Sequence, residues 1–167
     1  MREMHGQFSK VFRTRDGNKF YGELGIPDTN TSMHFRPRRT LTVGKDAAVE
    51  TGDVVSGDTG TFLVSLSSGL SKTLQFKCFE ITSTLAWTRV GEQIDFVTGL
   101  PRDAQLIVLD LSLPVVVEHG SIVENKGLEV DKYQILTGAA VKVGDRLGSW
   151  LVQTIMDSNG LNLLEVA

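Results

Sequence analysis

Cysteine and proline are scarce in this chain, with one and four among 167 residues. A lone Cys78 excludes an internal disulfide, and within Phe76-Lys77-Cys78-Phe79 it reads as a small apolar core residue rather than a nucleophile. The opening Met-Arg-Glu-Met-His-Gly lacks the apolar run of a secretory signal, and no apolar stretch approaches the roughly 20 residues a helix needs to span a bilayer, so no membrane is expected. Asn30-Thr31-Ser32 is an isolated sequon with nothing else pointing to secretion. His5, His34 and His119 share no short ligand spacing with one another or with Cys78, which leaves out the usual zinc patterns.

Catalytic motifs are equally thin. No Gly-x-Gly-x-x-Gly follows a strand, no Gly-x-x-x-x-Gly-Lys-Ser/Thr occurs, and Leu66-Ser67-Ser68-Gly69 lacks the leading Gly of a nucleophile elbow. Asp58-Thr59-Gly60-Thr61 carries the Asp-Thr-Gly of aspartic proteases, whose chemistry needs two such carboxylates sharing one proton. Here the triplet occurs once, after Ser56-Gly57 instead of an apolar strand, and reads as a turn. The expectation is a non-enzyme with no cofactor and no metal.

What the sequence does contain is alternation. Apolar residues recur with period two, and β-branched runs separated by Gly, Asn and Asp predict strands over 7–14, 19–24, 33–43, 54–56, 61–67, 73–89, 93–97, 105–111, 115–117, 129–136, 149–156 and 161–166. Arg15-Asp16-Gly17-Asn18 and Asp157-Ser158-Asn159-Gly160 supply residues that accept positive φ, predicting two hairpins. The run 73–89 is too long for one ordinary strand, so a bend, a bulge or a turn near Ser83-Thr84 is expected. Residues 106–113 read as a buried strand stopped by Pro114, and Arg102-Asp103-Ala104-Gln105 as at most a short turn. The predicted fold class is all-β: a barrel or sandwich of short antiparallel strands, with long loops, an extended N-terminal arm and little helix.

Charge divides the chain unevenly. Residues 1–45 hold nine Lys/Arg and four Asp/Glu, a net +5, while residues 46–167 hold eight and sixteen, a net −8. This suggests a basic N-terminal hairpin and arm over 1–45, packed on or extending from a main β domain over 46–167. The densest charge is Arg36-Pro37-Arg38-Arg39, preceded by the weakly patterned 27–32. Lys10, Arg13 and Arg15 on the first hairpin are candidates to join Arg36, Arg38 and Arg39 in a surface for interface or polyanion contact, because guanidiniums present planar forks of donors to phosphate or carboxylate. Phe8 and Phe12 share a face with Lys10 between them, as on an OB-like platform for single-stranded nucleic acid. The acidic remainder repels a polyanion, however. Two unlike patches on one molecule suit head-to-tail contacts between subunits better, so that role is preferred and nucleic-acid binding is the alternative.

One internal echo stands out. Val49-Glu50-Thr51-Gly52-Asp53-Val54-Val55 followed by Thr61-Phe62-Leu63-Val64 parallels Val141-Lys142-Val143-Gly144-Asp145-Arg146-Leu147 followed by Ser149-Trp150-Leu151-Val152, reading as a reused Gly-Asp corner with a strand, a reversal and an aromatic-bearing strand. The second copy, continued by Asn159-Gly160-Leu161-Asn162-Leu163-Leu164-Glu165-Val166, resembles β-barrel proteins at the head-tail junction of tailed bacteriophages, the head-closure, stopper and neck proteins. The resemblance implies a virion structural protein, assembled in the host cytoplasm as a ring homo-oligomer. It further implies contacts with other virion proteins, and the basic N-terminal region adds possible contact with DNA. Tail, baseplate and decoration proteins suit the same features. The resemblance lies in turns and carries over no site residue.

Overall fold

A computed structural model describes residues 10–27, 37, 39–69, 71–91, 96–99, 105–123 and 129–167, with backbone alone for 119–123 and 129–132. The strands are β1 (Lys10–Thr14), β2 (Lys19–Leu24), β3 (Arg39–Gly44), β4 (Val54–Gly57), β5 (Gly60–Gly69), β6 (Thr73–Glu80), β7 (Ser83–Gly91), β8 (Gln105–Val123), β9 (Glu129–Thr137), β10 (Arg146–Leu147), β11 (Trp150–Ser158) and β12 (Leu161–Val166). All described pairings are antiparallel, and no described residue is helical, so the all-β expectation holds.

The strands close into two barrels. The first runs β1-β2-β3-β6-β5-β4 and the second β7-β8-β9-β12-β11-β10, the same order written twice. The sequence echo marks the matching corners, and the backbone repeats there bond for bond. In the first barrel the Gly52 N–H donates to the Val64 carbonyl, Asp53 N–H to Glu50, Val64 N–H to Asp53, and Glu50 N–H to the Asp53 carboxylate. In the second, Gly144 N–H donates to Val152, Asp145 N–H to Lys142, Val152 N–H to Asp145, and Lys142 N–H to the Asp145 carboxylate. Gly52 and Gly144 stand at φ 95° and 92°, left-handed backbone that a side chain resists.

Each barrel is filled by its inward face. Phe12, Phe20, Leu41, Val43, Val55, Phe62, Val64, Phe76 and Cys78 fill the first; Leu113, Val115, Ile135, Leu147, Val152 and Leu164 are among those filling the second. Burial pushes the Cys78 thiol up to about 12, against opposing effects from a backbone hydrogen bond and nearby Arg39, consistent with an inert core residue. A third cluster joins the barrels: Leu63 and Phe79 from the first meet Val116, Leu136 and Leu161 from the second. Strand β5 is therefore covered on both sides, Phe62 and Val64 facing one core and Leu63 and Ser65 the other, which explains the unbroken buried run from Phe62 to Ser65.

Several expected boundaries move. The division at residue 45/46 falls inside the first barrel, because the basic segment supplies β1, β2 and all of β3, which must pair with β6 to close it. The barrels meet instead at Ile81-Thr82, the break expected near Ser83-Thr84 within the long run 73–89. There the Thr82 N–H donates to the Val115 carbonyl and the Thr82 hydroxyl accepts from the Val117 N–H. Pro114 does not stop a strand but lies inside β8. It faces Thr84 of β7 just before β8 takes up β9 at Val116, so the β9 ladder asks for no N–H from it. Phe96 and Val97, expected in a strand, sit in a turn. The hairpin expected at residues 157–160 forms with Asn159 and Gly160 at φ 52° and 84°, the two positive values of a type I′ turn. The extended arm expected around residues 28–36 lies outside the described residues.

At the seam, backbone approaches backbone. A Cβ placed on Gly138 would fall 2.2 Å from the Gly52 carbonyl oxygen and 2.5 Å from its Cα, with no flexible side chain to give way. Nearby, the Ser65 hydroxyl donates to the Asn159 carbonyl at 2.7 Å. Replacing Gly138 by Ala is expected to force the barrels apart, at about 1–3 kcal/mol or more. Gly25→Ala, whose new methyl meets the Thr40 backbone at ordinary distances, 3.4 Å from its carbonyl oxygen and 3.9 Å from its nitrogen, serves as the control. Thermal or urea unfolding of both variants checks this; equal midpoints would show that the close approach is unimportant.

Candidate functional site: an uncovered apolar ribbon

The second barrel carries a ribbon that its own walls do not cover. Beyond the pairing of Trp87 and Thr88 with Leu147 and Arg146 of β10, β7 and β8 continue, among the described residues, only against each other, with Arg89 facing Ile107, Val90 facing Leu106 and Gly91 facing Gln105. Residues 106–109, Leu-Ile-Val-Leu, are between 40% and 61% exposed, and Leu111 is 80% exposed. The sequence led to a buried strand here, and that expectation is overturned. An apolar run without alternation signals that both faces want cover, and among the described residues neither face receives it in full. Register shifts between Leu85 and Trp87 and between Trp87 and Thr88 show where β7 and β8 depart from simple pairing at the ribbon's root. Val90, Phe96 and Val97 add further exposed apolar surface, an amount that a solitary soluble chain seldom leaves to water.

Two charged anchors hold the root of the ribbon. From the β1–β2 turn, the Arg15 guanidinium forks onto the Asp110 carboxylate, with Nη2 2.9 Å from Oδ1 and also donating to the Ser112 carbonyl at 3.0 Å. The Arg15 hydrogen bond holds the Asp110 carboxyl below its ordinary range, aided by the Ser112 N–H and opposed by partial burial. On the other strand, Arg89 Nε and Nη2 both lie 2.8 Å from Asp145, one to each oxygen, while Trp87 Nε1 and the Lys142 N–H each donate to Oδ2 at 2.9 Å. Burial alone would push the Asp145 carboxyl up; the bonds from Arg89, Lys142 and Trp87 prevail and hold it at about 2. A carboxylate so saturated with donors is an anchor and not a base. Trp87 and Arg89 are two apart and share a face of β7, a Trp-x-Arg spacing that a search of the sequence for carboxylate clamps would have found.

The six basic candidates do not assemble as one patch. Lys10 and Arg39 stand at the starts of β1 and β3, parallel strands on either side of β2, and so at the same end of the first barrel, each sharing the inward-facing set of its strand. Arg13 is exposed on the opposite face of β1, and Arg15 is engaged by Asp110. Arg36 and Arg38 lie outside the described residues. Asp58 sits exposed in the β4–β5 turn, as read from its glycine neighbours. Among the described residues no three His, Cys, Asp or Glu side chains gather as a metal site would require, and no helix is long and apolar enough to cross a membrane.

The duplicated corners give an internal control for the Asp145 anchor. Asp53 receives the same backbone N–H but lacks the Trp and Arg, so Asp145→Ala is expected to cost about 2–4 kcal/mol and Asp53→Ala about 1 kcal/mol. Because the folded carboxyl is held near 2, below its ordinary 3.8, its stabilisation is complete above about pH 4 and is withdrawn as the pH falls through 2. Asp110, also lowered, acts in the same direction. Melting curves from pH 7 to pH 2 should therefore show a steeper acid loss for the native chain than for Asp145→Asn; matching slopes would mean the clamp adds nothing. Comparison with protein-family models, curated proteins and solved structures finds no match to this chain.

Proposed function

We propose that the chain is a non-enzymatic structural subunit that oligomerises, in the head-tail connector, neck or tail of a tailed phage. The uncovered apolar ribbon of residues 106–109 carries the assembly part of this reading. Closed barrels have no free sheet edge to offer, whereas among the described residues β8 between residues 105 and 115 pairs with β7 and with no second strand on its other edge. A subunit docking there covers apolar side chains and completes a ladder at once. The phage setting is supported by the corner sequences' resemblance to head-closure and neck proteins.

Against the alternative of an OB-like nucleic-acid binder, Arg15 is occupied by Asp110, Arg13 turns away from Lys10 and Arg39, and the most conspicuous uncovered surface is apolar. A polyanion site would be expected to gather cations instead.

Light scattering on the purified chain at micromolar concentration should show a species several subunits in mass. Leu106→Asp with Val108→Asp should reduce it to a monomer while leaving the melting temperature nearly unchanged, since both side chains are already half in water. A native chain that stays strictly monomeric, and is not taken up into particles, sinks the proposal. Salt-dependent retention of single-stranded DNA by the native chain would move the choice to the alternative.

A further inference from the structure

The ribbon is an addition that only barrel two carries. Thr14 faces Val55 of β4 and Trp87 faces Leu147 of β10, matching places in two barrels of the same strand order. After Thr14 the first barrel reverses at once through Asp16-Gly17, whereas after Trp87 the second runs on through Arg89 to Gly91 and returns from Gln105. Barrel one closes without such an extension, so the apolar surface of the ribbon serves something other than closure.

The edge of β8 that, among the described residues, faces no second strand is not uniform along its length. The Ala86 carbonyl accepts from the Gly148 N–H between β10 and β11, so the residue before it, Leu85, turns its backbone groups toward Leu113 of β8. Backbone groups alternate in direction along a strand, which turns those of Ser112 and Pro114 to the open side. Neither is available to a new strand. Pro114 has no N–H. The Ser112 N–H donates to the Asp110 carboxylate at 2.9 Å, and its carbonyl accepts from Arg15 at 3.0 Å. Arg15 comes from the β1–β2 turn, so barrel one itself shuts the root of the edge. Proline and charge are the usual means of blunting an edge strand. Here they end at Asp110, and from Gln105 to Leu109 the strand carries no charge.

We infer that the Arg15–Asp110–Ser112 cap is a register stop, and that residues 105–109, just short of it, pair antiparallel with the same residues of a second copy across a two-fold axis. This rests on the assembly reading above and adds to it the contact strand and its register. A strand entering here must bring no charge into an apolar ladder, and the stretch meets that condition against itself. The longest ladder that stays within β8 and short of both caps is centred on Ile107, with Leu106 opposite Val108 and Gln105 opposite Leu109. Each Asp110 then falls just beyond the last pair, already engaged by its own Arg15. Such a contact is isologous and closes on two copies, which makes the pair the unit from which a larger ring is built.

The test is cysteine cross-linking in the full chain. Opposed residues of antiparallel strands stand about 4.5–5.5 Å apart, within the span a disulfide accepts. Under mild oxidation Ile107→Cys should form a reducible dimer and Leu111→Cys should stay monomeric, although Leu111 is the more exposed of the two, at 80% against 46%. The buried Cys78 is a poor competitor. Removing the cap with Arg15→Ala and Asp110→Ala together should let Leu111→Cys form the dimer, and Arg15→Ala alone should do so to a lesser degree, with the fold checked by melting. Equal cross-linking at the two positions in the capped chain, or a Leu111→Cys that stays monomeric once the cap is gone, overturns the register stop. No dimer from Ile107→Cys while light scattering still finds an oligomer overturns the like-to-like pairing. A monomer in light scattering would remove the assembly reading as well, so the two failures are distinguishable.

Discussion

Strand β5 lies between two hydrophobic cores, and the rest of the molecule is arranged around that burial. Parting the barrels would bring Leu63, Phe79, Val116, Leu136 and Leu161 into contact with water. At about 1.5–3 kcal/mol for each fully bared side chain, the loss is comparable to the whole stability of an ordinary domain, even though such figures are upper bounds. Neither barrel is therefore an independent unit, despite each having its own closed ladder. The seam also fixes what lies at its margins. Gly138 has no room for a side chain because the first barrel presses against it, and Arg15 reaches Asp110 because the β1–β2 turn is held beside β8.

How much of this was legible in the sequence follows from how local each determinant is. Turns were readable because their chemistry is contained in four residues; Asn159-Gly160 and Asp16-Gly17 form the reversals their side chains demand. The echo between the two Gly-Asp corners was visible, and its hydrogen bonds repeat in full. What could not be read is whatever depends on coverage from a distance. Leu63 and Leu151 occupy matching places in similar strings, yet one is sealed and the other half in water, because only the first meets a neighbouring barrel. The run at residues 106–109 looked buried for the same reason: apolar composition reports a demand for cover without saying which chain meets it. The length of the run 73–89 was enough to call for a break near Ser83-Thr84, but not to show that it separates two barrels, because no glycine or proline marks the place and both flanking strands are apolar-bearing.

The two barrels put the same corner to different uses. In the first, Asp53 closes its turn with one backbone hydrogen bond, and stability at that position comes from the seam beside it. In the second no barrel covers the corner, and Asp145 is instead gripped by Arg89 and Trp87 from β7. Leaving a face open to water removes apolar support, and a saturated carboxylate inside the corner substitutes for it. The substitution of Arg146 where the first barrel has Val54 fits the same division, since a position in the seam must be apolar and one at a wet rim need not be. Divergence between the copies is thus concentrated where one is internal and the other terminal.

Closed barrels ordinarily solve the problem of sticky edges by having none, and proteins that retain an open strand commonly protect it with lysine, proline or a bulge. Here the ribbon does the reverse. Residues 106–109 contain no charge at all, and Asp110, the first one reached, is turned inward to Arg15 rather than outward as a guard. The charges that reach the ribbon, Asp110 beside its apolar run and Arg89 opposite Ile107, are each held by a partner, and none lies within residues 106–109 themselves, where it would repel a visitor. A chain under pressure only to stay soluble would distribute its charges the other way round. On the proposed reading the arrangement has a use: a ribbon held rigid at its base and unguarded along its length gives up little conformational entropy when a neighbour covers it, so apolar burial goes largely into association.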